Sequence, residues 1–217
     1  MSAISIAAGF GGPLLGFLLA AAPASASETP ASEDTEAQRW SFGGEGSFYI
    51  RPDDTDYVIG TAYVNRGPLA LRARYNYEQL HAVSVFLGWS FGFGERLRLE
   101  LTPLAGAVFV GMSGIAPGLE LELSFWKLAL SSQSEYVFDL ARPGDSFFYE
   151  WAELSLSPVE WVRAGLAVQR TQVVQTRVQL ERGPLVALTY RHLSAAAYWF
   201  NPGSEDAYAV FTLGVDL

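Results

Sequence analysis

From Trp40 to the C-terminus, apolar and polar side chains alternate with a period of two. In Leu69–Glu78, the residues Leu69, Leu71, Ala73, Tyr75 and Tyr77 share one face, and Arg72, Arg74, Asn76 and Glu78 share the other. Leu97, Leu99 and Leu101 alternate with Arg98, Glu100 and Thr102; Leu119, Leu121, Leu123 and Phe125 alternate with Glu120, Glu122 and Ser124. Val162, Ala164, Leu166 and Val168 alternate with Arg163, Gly165 and Gln169. Successive side chains of a strand point to opposite faces. The pattern therefore predicts strands that each carry one apolar and one polar face.

Turn chemistry punctuates the runs. One set is tight: Asn65–Pro68, Gly92–Glu95, Trp126–Lys127, Ser157–Glu160 and Glu181–Pro184. A second set lies between them: Arg51–Asp56, Tyr77–Leu80, Gly111–Gly114, Asp139–Asp145, Arg170–Gln172 and Asn201–Asp206. Alternating sets describe an up-and-down meander with one kind of connection at each end. The runs predict strands over 40–50, 57–65, 69–77, 81–91, 96–110, 117–125, 128–138, 147–156, 162–169, 173–180, 185–199 and 208–217. Twelve spans of about ten residues use about 120 residues and leave about five per connection. The stretch 162–180 also reads as one long strand, so ten to fourteen strands fit the pattern. An even number returns both termini to one side, as in bacterial single-chain barrels.

Residues 1–26 carry no charge, and Phe10–Ala22 is an apolar core that stops at Pro23. Ala24-Ser25-Ala26 has the small-x-small form of a signal-peptidase site, so 1–26 reads as a secretory signal peptide, although no Lys or Arg precedes the core. Residues 27–39 are polar and acidic and read as a disordered linker. After the leader no run of about 18 apolar residues follows, which excludes a transmembrane helix there. The absence of cysteine excludes disulfides and thiolate metal sites. A net charge of −9 argues against a nucleic-acid partner, which needs a basic surface.

Alternation alone does not say which face is inside. A soluble barrel turns its apolar face inward, and a membrane barrel turns it outward. Twelve strands enclose too wide an interior for apolar side chains alone to fill. Aromatics also gather near the expected strand ends: Phe48-Tyr49, Tyr75, Tyr77, Trp89, Phe91, Phe125-Trp126, Tyr136, Phe138, Phe147-Phe148-Tyr149, Trp151, Trp161 and Tyr198-Trp199-Phe200. Such rings form the two headgroup-level girdles of a membrane barrel. Finally, Ala209, Phe211, Leu213, Val215 and Leu217 place an apolar residue at the last position and at every second one before it. This run resembles the C-terminal strand signal of bacterial outer-membrane proteins, with Leu217 where Phe or Trp is usual. The resemblance covers Trp40–Leu217 by pattern and implies an all-β, transmembrane antiparallel up-and-down barrel over 40–217. It also implies export to the bacterial outer membrane, contact with membrane lipid and lipopolysaccharide, and recognition by the barrel-assembly machinery through the last strand.

With apolar faces outward, the lumen holds Arg72, Arg74, Asn76, Arg98, Glu100, Glu120, Glu122, Gln133, Glu135, Arg163, Gln169, Gln175 and Arg191. The fourth strand offers only Ala82, Ser84, Phe86, Gly88 and Ser90 beside Arg72 and Arg74. These arginines must therefore reach across to Glu120, Glu122 or Glu135, or stay solvated. The first outcome gives a closed structural or interaction barrel; the second gives a narrow channel for small polar or charged solutes.

Signals for chemistry are sparse. His192-Leu193-Ser194 resembles the His–Ser pair of the outer-membrane phospholipase and lipid A deacylase families, in which His is the base and Ser the nucleophile. Parity with Val186, Leu188 and Tyr190 puts both side chains on the lipid face, but Ala195-Ala196-Ala197 follows and no acid orients the His. The plainer reading is an interfacial His near a small residue. His81 and Ser84 fall on opposite faces and do not cooperate. Asp53, Asp54, Asp56, Asp145, Glu205 and Asp206 make an acidic rim whose spacing is not that of a calcium loop, and no metal or cofactor motif is evident.

Overall fold

A computed structural model describes residues 39–52, 54–174 and 178–217. The signal peptide, all of the linker except Arg39, Asp53 and Gln175 lie outside the described residues. The strands are β1 (Trp40–Ile50), β2 (Tyr57–Arg66), β3 (Leu69–Tyr75), β4 (Val83–Trp89), β5 (Phe91–Phe93), β6 (Leu97–Phe109), β7 (Gly114–Phe125), β8 (Leu128–Asp139), β9 (Phe147–Val159), β10 (Val162–Val173), β11 (Gln179–Tyr190), β12 (Leu193–Phe200) and β13 (Tyr208–Asp216). A single 3-10 turn, Pro143–Asp145, interrupts them among the described residues.

Apart from β4 and β5, consecutive strands pair antiparallel, and β1 closes on β13. The segments β4 and β5 are one stave. Both pair with β6 in one register, Gly88↔Leu104 on one side of the break and Phe91↔Leu101 on the other. The skipped pairs are Trp89 with Pro103 and Ser90 with Thr102, and proline has no N–H to give the ladder. The result is a closed barrel of twelve staves, which agrees with the count read from the sequence.

The segmentation over 162–200 differs from expectation. Strand β10 runs through Arg170–Gln172, and Glu181–Pro184 is not a turn but the middle of β11, where Leu166 faces Pro184. The missed hairpin is at Arg191-His192, with Arg191 at φ 56°, a left-handed conformation that reverses the chain in two residues. Two displaced boundaries cancel, so the number of strands survives.

The short connections, at 67–68, 94–96, 126–127, 160–161 and 191–192, share one end with both described termini. The longer ones, at 51–56, 76–82, 110–113, 140–146, 174–178 and 201–207, share the other. Outside, the wall is apolar: Leu71, Val85, Leu87, Ile115, Leu154, Leu166, Leu188, Phe211 and Leu213 are all exposed. Trp40, Trp89, Phe125, Trp126, Trp161 and Tyr190 ring the short-turn end; Phe48, Tyr75, Phe109, Phe138 and Trp199 ring the other. Such a surface is at ease only in lipid.

Part of the girdle expected from sequence lies inside. Tyr49, Tyr77, Phe147, Tyr149, Trp151, Tyr198 and Phe200 are buried in the lumen. For Tyr77 the cause is local. Asn76 takes φ 57°, which ends the alternation and swings Tyr77 from the lipid face to the interior.

Candidate functional site in the lumen

The expected inner face assembles around Arg74. Its Nη1 donates to Glu135 Oε2 at 2.7 Å, and Glu78 and Glu120 lie 3.8 and 3.9 Å away. The guanidinium is held between the rings of Tyr77 and Phe86, each centroid 4.3 Å from Cζ. Arg72 reaches Glu120 through two bonds, Nε to Oε1 at 3.2 Å and Nη2 to Oε2 at 2.9 Å. Gln133 lies beside them, its amide 2.8 Å from the Tyr77 hydroxyl. Strand β3 thus answers its two arginines from β7 and β8, across the interior, because Ser84, Phe86 and Gly88 of β4 carry no charge. Such paired, hydrogen-bonded charges are tolerated in a dry interior, whereas unpaired ones are not.

A second cluster sits on the other wall. Arg163 of β10 pairs with Glu153 of β9, which also accepts from Trp151 Nε1 at 3.0 Å and from the Tyr198 hydroxyl at 2.8 Å. Around Trp151 the rings of Tyr198 and Phe200 pack edge-on at 5.3 and 5.2 Å. Phe200 stacks on Tyr208 at 5.0 Å, and Tyr49 stacks on Tyr57 at 4.6 Å. Tyr77 meets Tyr149 edge-on at 5.6 Å. These rings fill the half of the lumen nearest the long connections. Gln169 belongs to this layer, 3.5 Å from the Tyr208 hydroxyl, which donates to Glu181 at 2.6 Å.

Toward the short turns the lumen opens into a cavity of about 220 Å³, lined by Glu45, Thr61, Tyr63, Asn65, Glu100 and Glu122 with the arginines at its floor. Glu100 stands directly opposite Glu122 in the ladder. Arg98 lies exposed on the same face of β6, at the mouth.

Two expected lumen residues have other roles. Asn76 closes its turn: Nδ2 donates to the Val58 carbonyl at 2.9 Å, and Oδ1 accepts from the His81 amide. Arg191 is outside the lumen, exposed on the hairpin it creates, with Cζ 5.4 Å from the Tyr190 ring. That hairpin also separates the His–Ser pair. Ser194 faces Thr189 in the ladder and is buried inside, while His192 stays on the turn, so the two do not share the lipid face.

Sequence reading missed Glu78. It follows the left-handed Asn76 and folds back beneath Arg74, bonded to the Ser84 hydroxyl. Burial pushes its carboxyl above the usual carboxylate range, against the pull of Arg74. It also missed Glu153 and the aromatic layer. The acidic rim is partly answered: Arg51 lies 3.3 Å from Asp54, and Arg142 lies 3.2 Å from Asp145. Among the described residues no group of three or more His, Asp or Glu side chains is arranged to hold a metal ion.

No family model matches the sequence, and no curated protein matches it. Solved structures do match the fold. A KdgM porin superposes with a TM-score of 0.55 at 7% identity, over 80% of this chain and 97% of that one. A KdgM porin in complex with disordered oligogalacturonate and a NanC porin each give 0.54 at 7% identity, again over 80% of this chain. The barrel has the outer-membrane porin fold. At this identity the likeness concerns architecture, and the side chains that fill the lumen are this chain's own.

Proposed function

We propose that this protein is an outer-membrane barrel that is closed at rest, and that it acts through its wall and its mouths rather than by free diffusion of solutes. One observation carries the reading: Arg72 and Arg74 are neutralised across the interior by Glu120 and Glu135 and lie against a stacked aromatic layer. Charged side chains that line an aqueous path stay solvated, whereas Arg74 and Glu135 are 1% and 2% exposed. The porin fold, the apolar wall and the two aromatic rings support the membrane location. The test is a planar bilayer. Wild-type protein, shown to be folded by a heat-modifiable gel shift, should insert and pass no steady current. Regular single-channel steps from folded protein would overturn the closed reading.

A second reading, a narrow channel for small polar or charged solutes, is favoured by the 220 Å³ cavity and its hydrogen-bonding walls. In it the aromatic layer is a gate. It predicts steps whose ion selectivity changes in Arg72→Glu, Arg74→Glu.

A further inference from the structure

The lipid-facing wall is apolar except in one place. Apart from aromatic girdle residues and Arg66 at the end of β2, the polar side chains that the described strands turn outward are Ser132, Ser134, Glu150, Arg170, Gln172 and Arg182. They are contiguous. Ser134 faces Glu150, and Glu150 faces Arg170, along one rung of β8, β9 and β10. Arg182 faces Val168 on the next inward rung of β10 and β11.

Two of the three charges in the patch, Glu150 and Arg182, are unanswered among the described residues. Arg170 lies against the Phe148 ring, 5.4 Å from its centroid, and donates to Gln172 at 3.3 Å. It makes no ion pair with Glu150. Neither the Glu150 carboxylate nor the Arg182 guanidinium has a hydrogen-bond or ion-pair partner among the described residues. A charge on the lipid face is destabilising, most at mid-bilayer and less near the interfaces, so the unanswered Glu150 and Arg182 imply something that answers them.

The sign pattern selects the occupant. A lipid phosphate would suit Arg182 and Arg170 but would be repelled by Glu150 between them and Ser134. A second copy of the chain suits both signs, because a two-fold contact is self-complementary. We propose that the β9–β11 wall is the contact face of a two-fold homodimer in which Glu150 of each copy meets Arg182 of the other across β10.

The geometry permits this. A two-fold axis along the membrane normal pairs residues of equal depth. Glu150 and Arg182 are two strands apart and two residues apart in rung. With strands tilted by roughly 40°, two strand steps raise Arg182 by about 6 Å and two residues lower it by about 5 Å. The strand ends step in the same sense: β8 runs on to Asp139 beyond Ser134, whereas β11 begins at Gln179, one residue before Leu180 on the same rung. The axis then falls on β10 near Val168, and Ser132, Ser134 and Ala152 leave a low surface for close approach. In lipid, where no hydrophobic force drives association, polar contacts and small side chains do.

The inference rests on the membrane-barrel reading and is independent of whether the lumen conducts. The chain has no cysteine, so a single one reports cleanly. In lipid vesicles, Val168→Cys should form an oxidised dimer, and Leu71→Cys, on β3 across the barrel, should not. Arg182→Glu should weaken dimerisation on the order of tenfold, and adding Glu150→Arg should restore it. The heat-modifiable shift separates misfolding from dissociation: its loss in wild type would remove the barrel itself. A folded monomer, equal cross-linking at both positions, or a monomer holding a phosphate-bearing lipid that Arg182→Glu releases would each overturn the dimer.

Discussion

Arg74 on β3 and Glu135 on β8 meet 2.7 Å apart although four strand-to-strand steps around the wall separate them. The pair is a strut across the barrel, and its consequence is directional. Arg74→Met leaves Glu135 and Glu78 buried without their cation, and breaking a buried pair in this way costs about 3–5 kcal/mol. Glu135→Gln keeps an acceptor for Nη1 and should cost less. The double change Arg74→Met, Glu135→Leu should recover part of the loss, because an apolar pair needs no partner charge. Denaturant unfolding in detergent, followed by the gel shift, measures all three. An unchanged midpoint in Arg74→Met would show that the strut contributes nothing.

The aromatic layer makes a second prediction. Trp151 touches both Tyr198 and Phe200, so Trp151→Ala opens the layer at its centre. Large core truncations cost about 3–5 kcal/mol, and the variant should unfold earlier. Where it still inserts, it should conduct ions that wild type does not. Tyr49→Ala with Tyr149→Ala removes rings elsewhere in the same layer and serves as an independent opening. If every folded variant stays silent, the ion-pair struts rather than the rings form the seal.

The strand count and the choice posed for Arg72 and Arg74 were legible because alternation fixes sidedness wherever a run is regular. What escaped was sidedness at the ends of runs. In β9, Leu154 and Leu156 define the lipid face, and counting back by twos puts Tyr149, Trp151 and Glu153 inside. Composition obscures this, because Phe, Tyr and Trp suit a girdle and a lumen equally. Tyr77 and Ser194 were misplaced for a different reason. Each lies just past a non-glycine residue with positive φ, Asn76 or Arg191, and that reversal resets parity. Asn tolerates the left-handed region, so Asn76 carried a cue; Arg191 carried none.

Sidedness is testable residue by residue. Leu121 and Leu213 turn outward, and Glu122 turns into the cavity. Single cysteines at Leu121 and Leu213 should react with lipid-soluble probes and resist small charged thiol reagents. A cysteine at Glu122 should react with the charged reagent, and faster from the short-turn side, because the aromatic layer blocks the other approach. The reverse labelling pattern would turn the barrel inside out and make it a soluble one.

The last prediction concerns the one break in the ladder. Ser90 donates its amide to the Pro68 carbonyl at 2.7 Å, so Ser90 turns its backbone toward the β3 side. Backbone groups of successive strand residues point to opposite sides, so Trp89 turns its own toward β6, where Pro103 stands. Pro103 has no N–H, and the Trp89 carbonyl loses its ladder donor. Nearby, the Ser90 and Thr102 hydroxyls bond at 2.7 Å on the inner face and hold the two strands together there. Pro103→Val should supply the missing donor and join β4 to β5 without changing register, since Pro103 already lies on the outward face. A typical gain is about 0.5–1.5 kcal/mol, read as a higher denaturant midpoint and as slower hydrogen exchange at Ser90 and Phe91. A lower midpoint would mean that the interruption relieves local twist at the seam, and that the proline stabilises the closed barrel rather than weakening it.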